Sequence, residues 1–124
     1  MLTNRNPVGW FEIYVQDMNR ARAFYESTLQ VELQRLESPV IEMLAFPMLP
    51  DQPGSSGSLV KMEGKDSGGG TIVYFSCMDC AEEEARAAAN GGEVIKGKFS
   101  IGQYGFISLV KDTEGNIIGF HSRS

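Results

Sequence analysis

Two stretches decide the fold: Trp10-Phe11-Glu12-Ile13-Tyr14-Val15-Gln16-Asp17 and Ile72-Val73-Tyr74-Phe75-Ser76-Cys77-Met78-Asp79, the second 62 positions after the first. Each alternates in side-chain character, as a strand with two different faces does, and each ends on an Asp suited to cap a helix. After Asp17, Ala21, Phe24, Tyr25 and Leu29 recur at helical spacing. After Asp79 comes Cys80-Ala81-Glu82-Glu83-Glu84-Ala85-Arg86-Ala87-Ala88-Ala89, rich in helix formers. Glu82 there completes a capping box, and Asn90-Gly91-Gly92 stops the helix. The same offset lays Val31-Glu32-Leu33 on Glu93-Val94-Ile95, and the strand of residues 41–47 on residues 103–109. Each half therefore reads as strand, helix and three strands, with turns at Leu49-Pro50-Asp51-Gln52-Pro53-Gly54 and Asp112-Thr113-Glu114-Gly115-Asn116.

The expected architecture is α+β: one domain over residues 1–124, built of two βαβββ modules that form a cup-shaped mixed sheet. Module 1 covers about residues 7–63, a linker residues 64–70 (Gly64-Lys65-Asp66-Ser67-Gly68-Gly69-Gly70), and module 2 about residues 71–124. A chain of 124 residues is one domain long, and 42% hydrophobic with 22% charged residues suffices for an ordinary core.

A net charge of −5 with scattered Lys and Arg argues against nucleic acid as partner, since that affinity rests on clustered cations. The apolar runs, such as residues 43–48 and 101–110, fall short of the ~20 residues that span a bilayer, so no membrane partner is expected. The polar start, residues 1–7, has no apolar signal core, and the two cysteines are too few for a disulfide framework. The expected location is cytoplasmic.

Alternation divides the first strand of each module. Phe11, Ile13 and Val15, with Val73, Phe75 and Cys77, should pack under the helices. Trp10, Glu12, Tyr14, Ile72, Tyr74 and Ser76 should face the cup, a mixture of aromatic and polar groups that suits a small-molecule pocket. By the repeat, Glu42 and Tyr104 occupy matching positions in the third strands and add polar groups to the same lining, although the near-continuous apolar run after Glu42 leaves the parity of that strand open.

Ile13-Tyr14-Val15-Gln16-Asp17-Met18, Arg20, Ala23-Phe24-Tyr25 and Leu29, with the closing Asp112-Thr113-Glu114-Gly115-Asn116-Ile117-Ile118, resemble the glyoxalase, bleomycin-resistance and extradiol dioxygenase superfamily (the vicinal oxygen chelate fold) over residues 7–122. The resemblance implies paired βαβββ modules around a metal-bearing cup, and frequent homodimers. It also implies metal-ligand positions from which this chain departs, for they fall at Trp10, Ile72 and Gly119, and the fourth lies in the stretch Ser58 to Met62, which holds no His or carboxylate. Glu63 stands just past it. No residue is therefore assigned to a metal.

Two candidates remain for chemistry. Glu12 and His121 each lie two residues beyond a failed metal position and hence on the expected cup face. Glu12 would serve as base and His121 as proton donor or ligand. The alternatives are an ion-paired or solvated Glu12 and a strand-end His121. Desolvation beside aromatic groups would raise the Glu12 pKa above its usual ~4.3. Cys77-Met78-Asp79-Cys80 has redox or half-zinc spacing, but it spans a strand end and a helix start and reads as two buried small residues without a disulfide.

The expected function is binding of a small organic molecule in the cup, with Trp10, Tyr14, Glu42, Tyr74, Ser76 and Tyr104 as lining and without a resident cofactor. The alternative is a glyoxalase-like lyase or isomerase using Glu12 as base, with or without a divalent metal. A symmetric homodimer is expected, covering Phe99, Ile101 and Phe106.

Overall fold

The computed structural model describes residues 5–38, 41–62 and 70–124. They form two compact units, one of residues 11–71 and one of residues 72–124 together with the chain up to Trp10. The first contains β1 (Val8–Tyr14, which begins in the other unit), α1 (Met18–Leu29), β2 (Gln34–Leu36), β3 (Glu42–Ala45) and β4 (Ser58–Lys61). The second contains β5 (Thr71–Ser76, whose first residue falls in the first unit), α2 (Cys80–Ala89), β6 (Glu93–Ser100), a 3-10 turn (Gly102–Tyr104), β7 (Phe106–Lys111) and β8 (Ile117–Ser122). Strand order in the first is β2-β3-β4-β1 and in the second β6-β7-β8-β5. In both, the first and last strands of the module run parallel and the other pairs antiparallel. The fold is thus α+β with two βαβββ modules. The linker lies outside the described residues except for Gly70, whose carbonyl accepts from the Tyr14 N–H at 3.0 Å.

α1 starts where Asp17 Oδ1 accepts from the Arg20 N–H at 3.0 Å. Beneath it lies an apolar cluster of Val15, Met18, Leu33, Leu44 and Leu59, with Ile13, Ala21, Tyr25, Val31 and Phe46 packed against it. Phe11 joins Phe46 at 5.6 Å between ring centres, so Phe11, Ile13 and Val15 hold the helix side of β1 as expected. The helix itself is a partial correction. Ala21 and Tyr25 face inward, but Phe24 and Leu29 are 59% and 53% exposed. A single short helix on a sheet buries one narrow stripe, and Phe24 instead sets its edge against the Tyr25 ring at 5.0 Å.

α2 is held by polar contacts. Asp79 Oδ1 accepts from the Ala81 N–H at 3.0 Å, one residue earlier than a capping box requires, and from Lys98 Nζ at 2.8 Å. That ammonium hydrogen bond is the main reason the Asp79 carboxyl titrates below its usual range. Glu84 Oε1 accepts from the Lys98 N–H at 2.7 Å and ties the helix to β6, whereas Glu83 pairs with Arg86 at 2.8 Å within the helix.

The strand expected over residues 103–109 begins only at Phe106. Gly102 and Gly105 adopt φ of +80° and +107°, which a strand cannot include, and the segment between them becomes the 3-10 turn. Likewise Val31-Glu32-Leu33 precedes β2 and contributes Leu33 to the core.

Candidate functional site

In the first unit the site grows from the register of three strands. β1 pairs with β4 through Glu12 opposite Ser58, Ile13 opposite Leu59 and Tyr14 opposite Val60. β4 pairs with β3 through Ser58 opposite Ala45 and Val60 opposite Met43. Because neighbours across a sheet share a face, Ile13, Leu59 and Leu44 lie on the helix side, and Glu12, Tyr14, Ser58, Val60, Ala45 and Met43 lie on the other.

Glu12 is 9% exposed and Tyr14 8% exposed. The Tyr14 hydroxyl donates to Glu12 Oε1 at 3.1 Å. Burial, then the Glu12 charge, then this hydrogen bond push the Tyr14 phenol far above its usual range. The phenol consequently stays protonated at any physiological pH and acts as a donor. A carboxylate this buried would be costly unless hydrogen-bonded, and Tyr14 supplies that compensation.

Glu42 is a correction. The register sets it opposite Lys61, on the side that Leu44 and Leu59 share with the helix. It is Met43 and Ala45 that face the way of Glu12. The apolar run hid this parity, which only cross-strand pairing reveals.

In the second unit Tyr74, Ser76, Gly119 and His121 share a sheet face, with Tyr74 opposite Gly119 and Ser76 opposite His121. Tyr74 is 4% exposed, and its ring occupies the space a side chain at Gly119 would need. Ile72, on the same side of β5, is buried. The Ser76 hydroxyl sits against Gly9. His121 is half-buried and its Nε2–H donates to the Tyr104 carbonyl at 2.6 Å. A carbonyl only accepts, so the proton of the neutral ring belongs on Nε2. Tyr104 is the second correction: it lies in the 3-10 turn, not in a strand, and meets His121 through its backbone. Trp10 is half-buried at the β1 position two before Glu12. Glu12 with Tyr14, and Tyr74 with Ser76 and His121, are the groupings formed within the units.

Ser58 and Val60 were not singled out by sequence. The turn after Leu49 breaks the offset between the modules, so the partner of Glu12 could not be aligned.

Among the described residues no group of three or more His, Cys, Asp or Glu side chains could hold a metal ion. Glu12 with the hydroxyls of Tyr14 and Ser58 is a poor donor set for a divalent ion, which takes several carboxylate, imidazole or thiolate ligands. No step is derived through a metal. A groove of about 450 Å³ lies beside α1, lined among others by Ile13, Tyr14, Gln16, Asp17, Arg20 and Phe24. Its polar groups Gln16, Asp17 and Arg20 are solvent-exposed, and of the buried pair only Tyr14 borders it.

Cys80 is fully buried, and its N–H donates to Ser122 Oγ at 3.0 Å. Cys77 is half-buried and its thiol donates to the His121 carbonyl at 3.4 Å. Burial first, and then the nearby Glu83, push that thiol up to about 12. A protonated thiol is a poor nucleophile, so the Cys77-to-Cys80 spacing serves packing. Alkylation of Cys77 in the native protein is expected to be far slower at pH 7.5 than that of a free thiol and to be still rising at pH 10. A rate that levels off near pH 8 contradicts this.

Two βαβββ modules define the class of fold, and the family follows. The chain belongs to the Glyoxalase/Bleomycin resistance protein/Dioxygenase superfamily, whose family model matches residues 8–120. No curated protein matches the sequence. Among solved structures, the chain is similar to a methylmalonyl-CoA epimerase in complex with methylmalonyl-CoA and NH4+ (TM-score 0.72, 15% identity, 98% of this chain and 96% of that one). It is similar to the methylmalonyl-CoA epimerase of Mycobacterium tuberculosis (TM-score 0.71, 14% identity, 100% and 93%). A hypothetical protein of Bacillus halodurans C-125 matches at TM-score 0.73 with 13% identity over 94% of both chains. Identities this low speak for the fold. No helix among the described residues is long and apolar enough to cross a membrane.

Proposed function

We propose that this protein binds a small organic molecule at the face of β1 that carries Glu12 and Tyr14. The buried hydrogen bond between the Tyr14 hydroxyl and Glu12 Oε1 carries the reading. It keeps a carboxylate oriented in a poorly solvated place, where a hydrogen bond from a ligand is worth more than in water. Aromatic and apolar neighbours provide the remaining contact area. Within the second unit, Tyr74, Ser76 and His121, which share a face, and Trp10 are proposed as ligand contacts in their own right.

The same pair favours a second reading, proton transfer. A desolvated carboxylate is a stronger base than a solvated one. Glu12 would take a proton from the carbon next to a carbonyl, the C–H electron pair passing into the new C=C bond as the carbonyl oxygen becomes an enolate oxygen. Structural likeness to methylmalonyl-CoA epimerases makes methylmalonyl-CoA a sensible probe.

Thermal melting against a panel of small carbonyl compounds and methylmalonyl-CoA tests both. A compound that stabilises the protein should bind Glu12→Gln about 10- to 100-fold more weakly, the weight of a charge-assisted hydrogen bond. Undiminished binding to a folded Glu12→Gln would overturn the proposal. Loss of the α-proton NMR signal of methylmalonyl-CoA in D2O, absent with Glu12→Gln, would select the enzyme reading.

We also propose a homodimer. Part of the apolar surface expected at its seam is covered within the chain, since Lys96 Nζ lies 4.1 Å from the centre of the Phe99 ring and Lys98 Nζ 4.8 Å from that of Phe106. Light scattering at micromolar concentration should give twice the chain mass, and a value near 13.6 kDa counts against the dimer.

A further inference from the structure

Ser58 is fully buried, and its hydroxyl has no hydrogen-bond partner among the described residues. Native proteins rarely leave a buried hydroxyl so, and each case asks for a partner absent from the static picture. Ser108 is alike in this respect, but the register sets it opposite Phe120, on the α2 side of its sheet and away from the face that carries His121. Ser58 stands directly opposite Glu12 in the parallel β1–β4 pair and on the same face. Adjacent strands are ~4.8 Å apart, which is within reach of a hydroxyl that turns about one side-chain angle. Flanking them on that face are Tyr14, Val60, Ala45 and Met43, of which Tyr14 titrates.

We infer that Ser58 is a positioning residue for Glu12, its hydroxyl turning to donate to the Glu12 carboxylate so that two hydroxyls, from Tyr14 and Ser58, hold the group that meets the ligand. The role of the carboxylate toward a ligand rests on the function proposed above. The contact between Ser58 and Glu12 does not. Two hydroxyl donors on one carboxylate restrict its rotation about the last side-chain bond. They also favour the ionised form.

The test uses the whole ligand-free protein with carbon-13 at the Glu side-chain carboxyl. The Glu12 resonance is assigned by its loss in Glu12→Gln and followed through a pH titration. Ser58→Ala should displace the resonance and raise the midpoint by about half a unit or more, because a donor to the charged form has gone. Ser58→Cys, with its weaker donor, should fall between, and serves if the alanine variant folds poorly. Tyr14→Phe gives the size of the effect for a donor already in place. A Glu12 midpoint that is unchanged or lower in a folded Ser58→Ala overturns the inference, and the hydroxyl then belongs to a water or to the backbone. Because no ligand is present, that failure would leave the ligand reading of Glu12 intact. Conversely, undiminished ligand binding to Glu12→Gln would not alter the titration.

Discussion

Gly105→Ala is expected to destabilise the protein by about 2–5 kcal/mol, a large part of the ~5–15 kcal/mol that holds a typical domain together. Gly105 has φ of +107°, and a methyl there would run into the Ser122 carbonyl oxygen and come within 3.2 Å of Arg123 Cα. Both obstacles are backbone, so no side-chain rotation relieves them. Gly105 also closes the turn, accepting from the Ile101 N–H at 2.8 Å and donating to the Gly102 carbonyl at 3.1 Å. The turn in its turn presents the Tyr104 carbonyl to His121. Loss of stability should therefore be accompanied by release of the His121 ring, seen as a change in its ring NMR chemical shifts. Urea unfolding of the variant should show a lower midpoint with an unchanged slope. An unchanged midpoint would mean that the turn is not built as described.

Leu59→Ala is expected to cost about 2–5 kcal/mol, the range for removing a large aliphatic side chain from a packed core. Leu59 is 0% exposed and lies opposite Ile13 on one side and Leu44 on the other. Val15, Met18 and Leu33 complete its surroundings, and a cavity there cannot fill without moving α1. Its chain neighbours Ser58 and Val60 point to the opposite face, beside Glu12 and Tyr14. The strand carrying them is thereby anchored by a residue that never touches the site, and ligand affinity should fall along with stability. Val94→Ala is a suitable control. Val94 is 37% exposed on β6, at the end of the strand order of its unit, and its change should stay within about 0.5 kcal/mol.

The elements that punctuate the chain were legible because their chemistry is local. Asp17 and Asp79 cap their helices through their own carboxylates. Asp112 closes the last turn by accepting from the Glu114 and Asn116 N–H groups, each at 2.8 Å. Alternation along β1 gave Glu12 and Tyr14 a common face because a strand enforces that parity without help from its neighbours. What escaped depends on pairing. The face of Glu42 is decided by Lys61 and Leu59 across the sheet, not by its own flanks. Ser58 becomes a neighbour of Glu12 only through a parallel pairing that a turn insertion conceals. Tyr104 was set in a strand by the repeat, whereas the positive φ values at Gly102 and Gly105 override repeat symmetry locally. Phe24 and Leu29 fit the helical period, yet a period fixes the direction of a stripe and not how wide a surface the sheet offers to cover it.

The central claim is that a ligand engages the Glu12 face of the first unit. It is tested most directly by mapping amide chemical-shift changes in nitrogen-15-labelled protein as a stabilising compound from the panel is added. Saturable changes should centre on residues 11–15 and 57–61, and should fade in Glu12→Gln at the same compound concentration. Changes confined to the α1 groove around Arg20 and Phe24, persisting in Glu12→Gln, would contradict it.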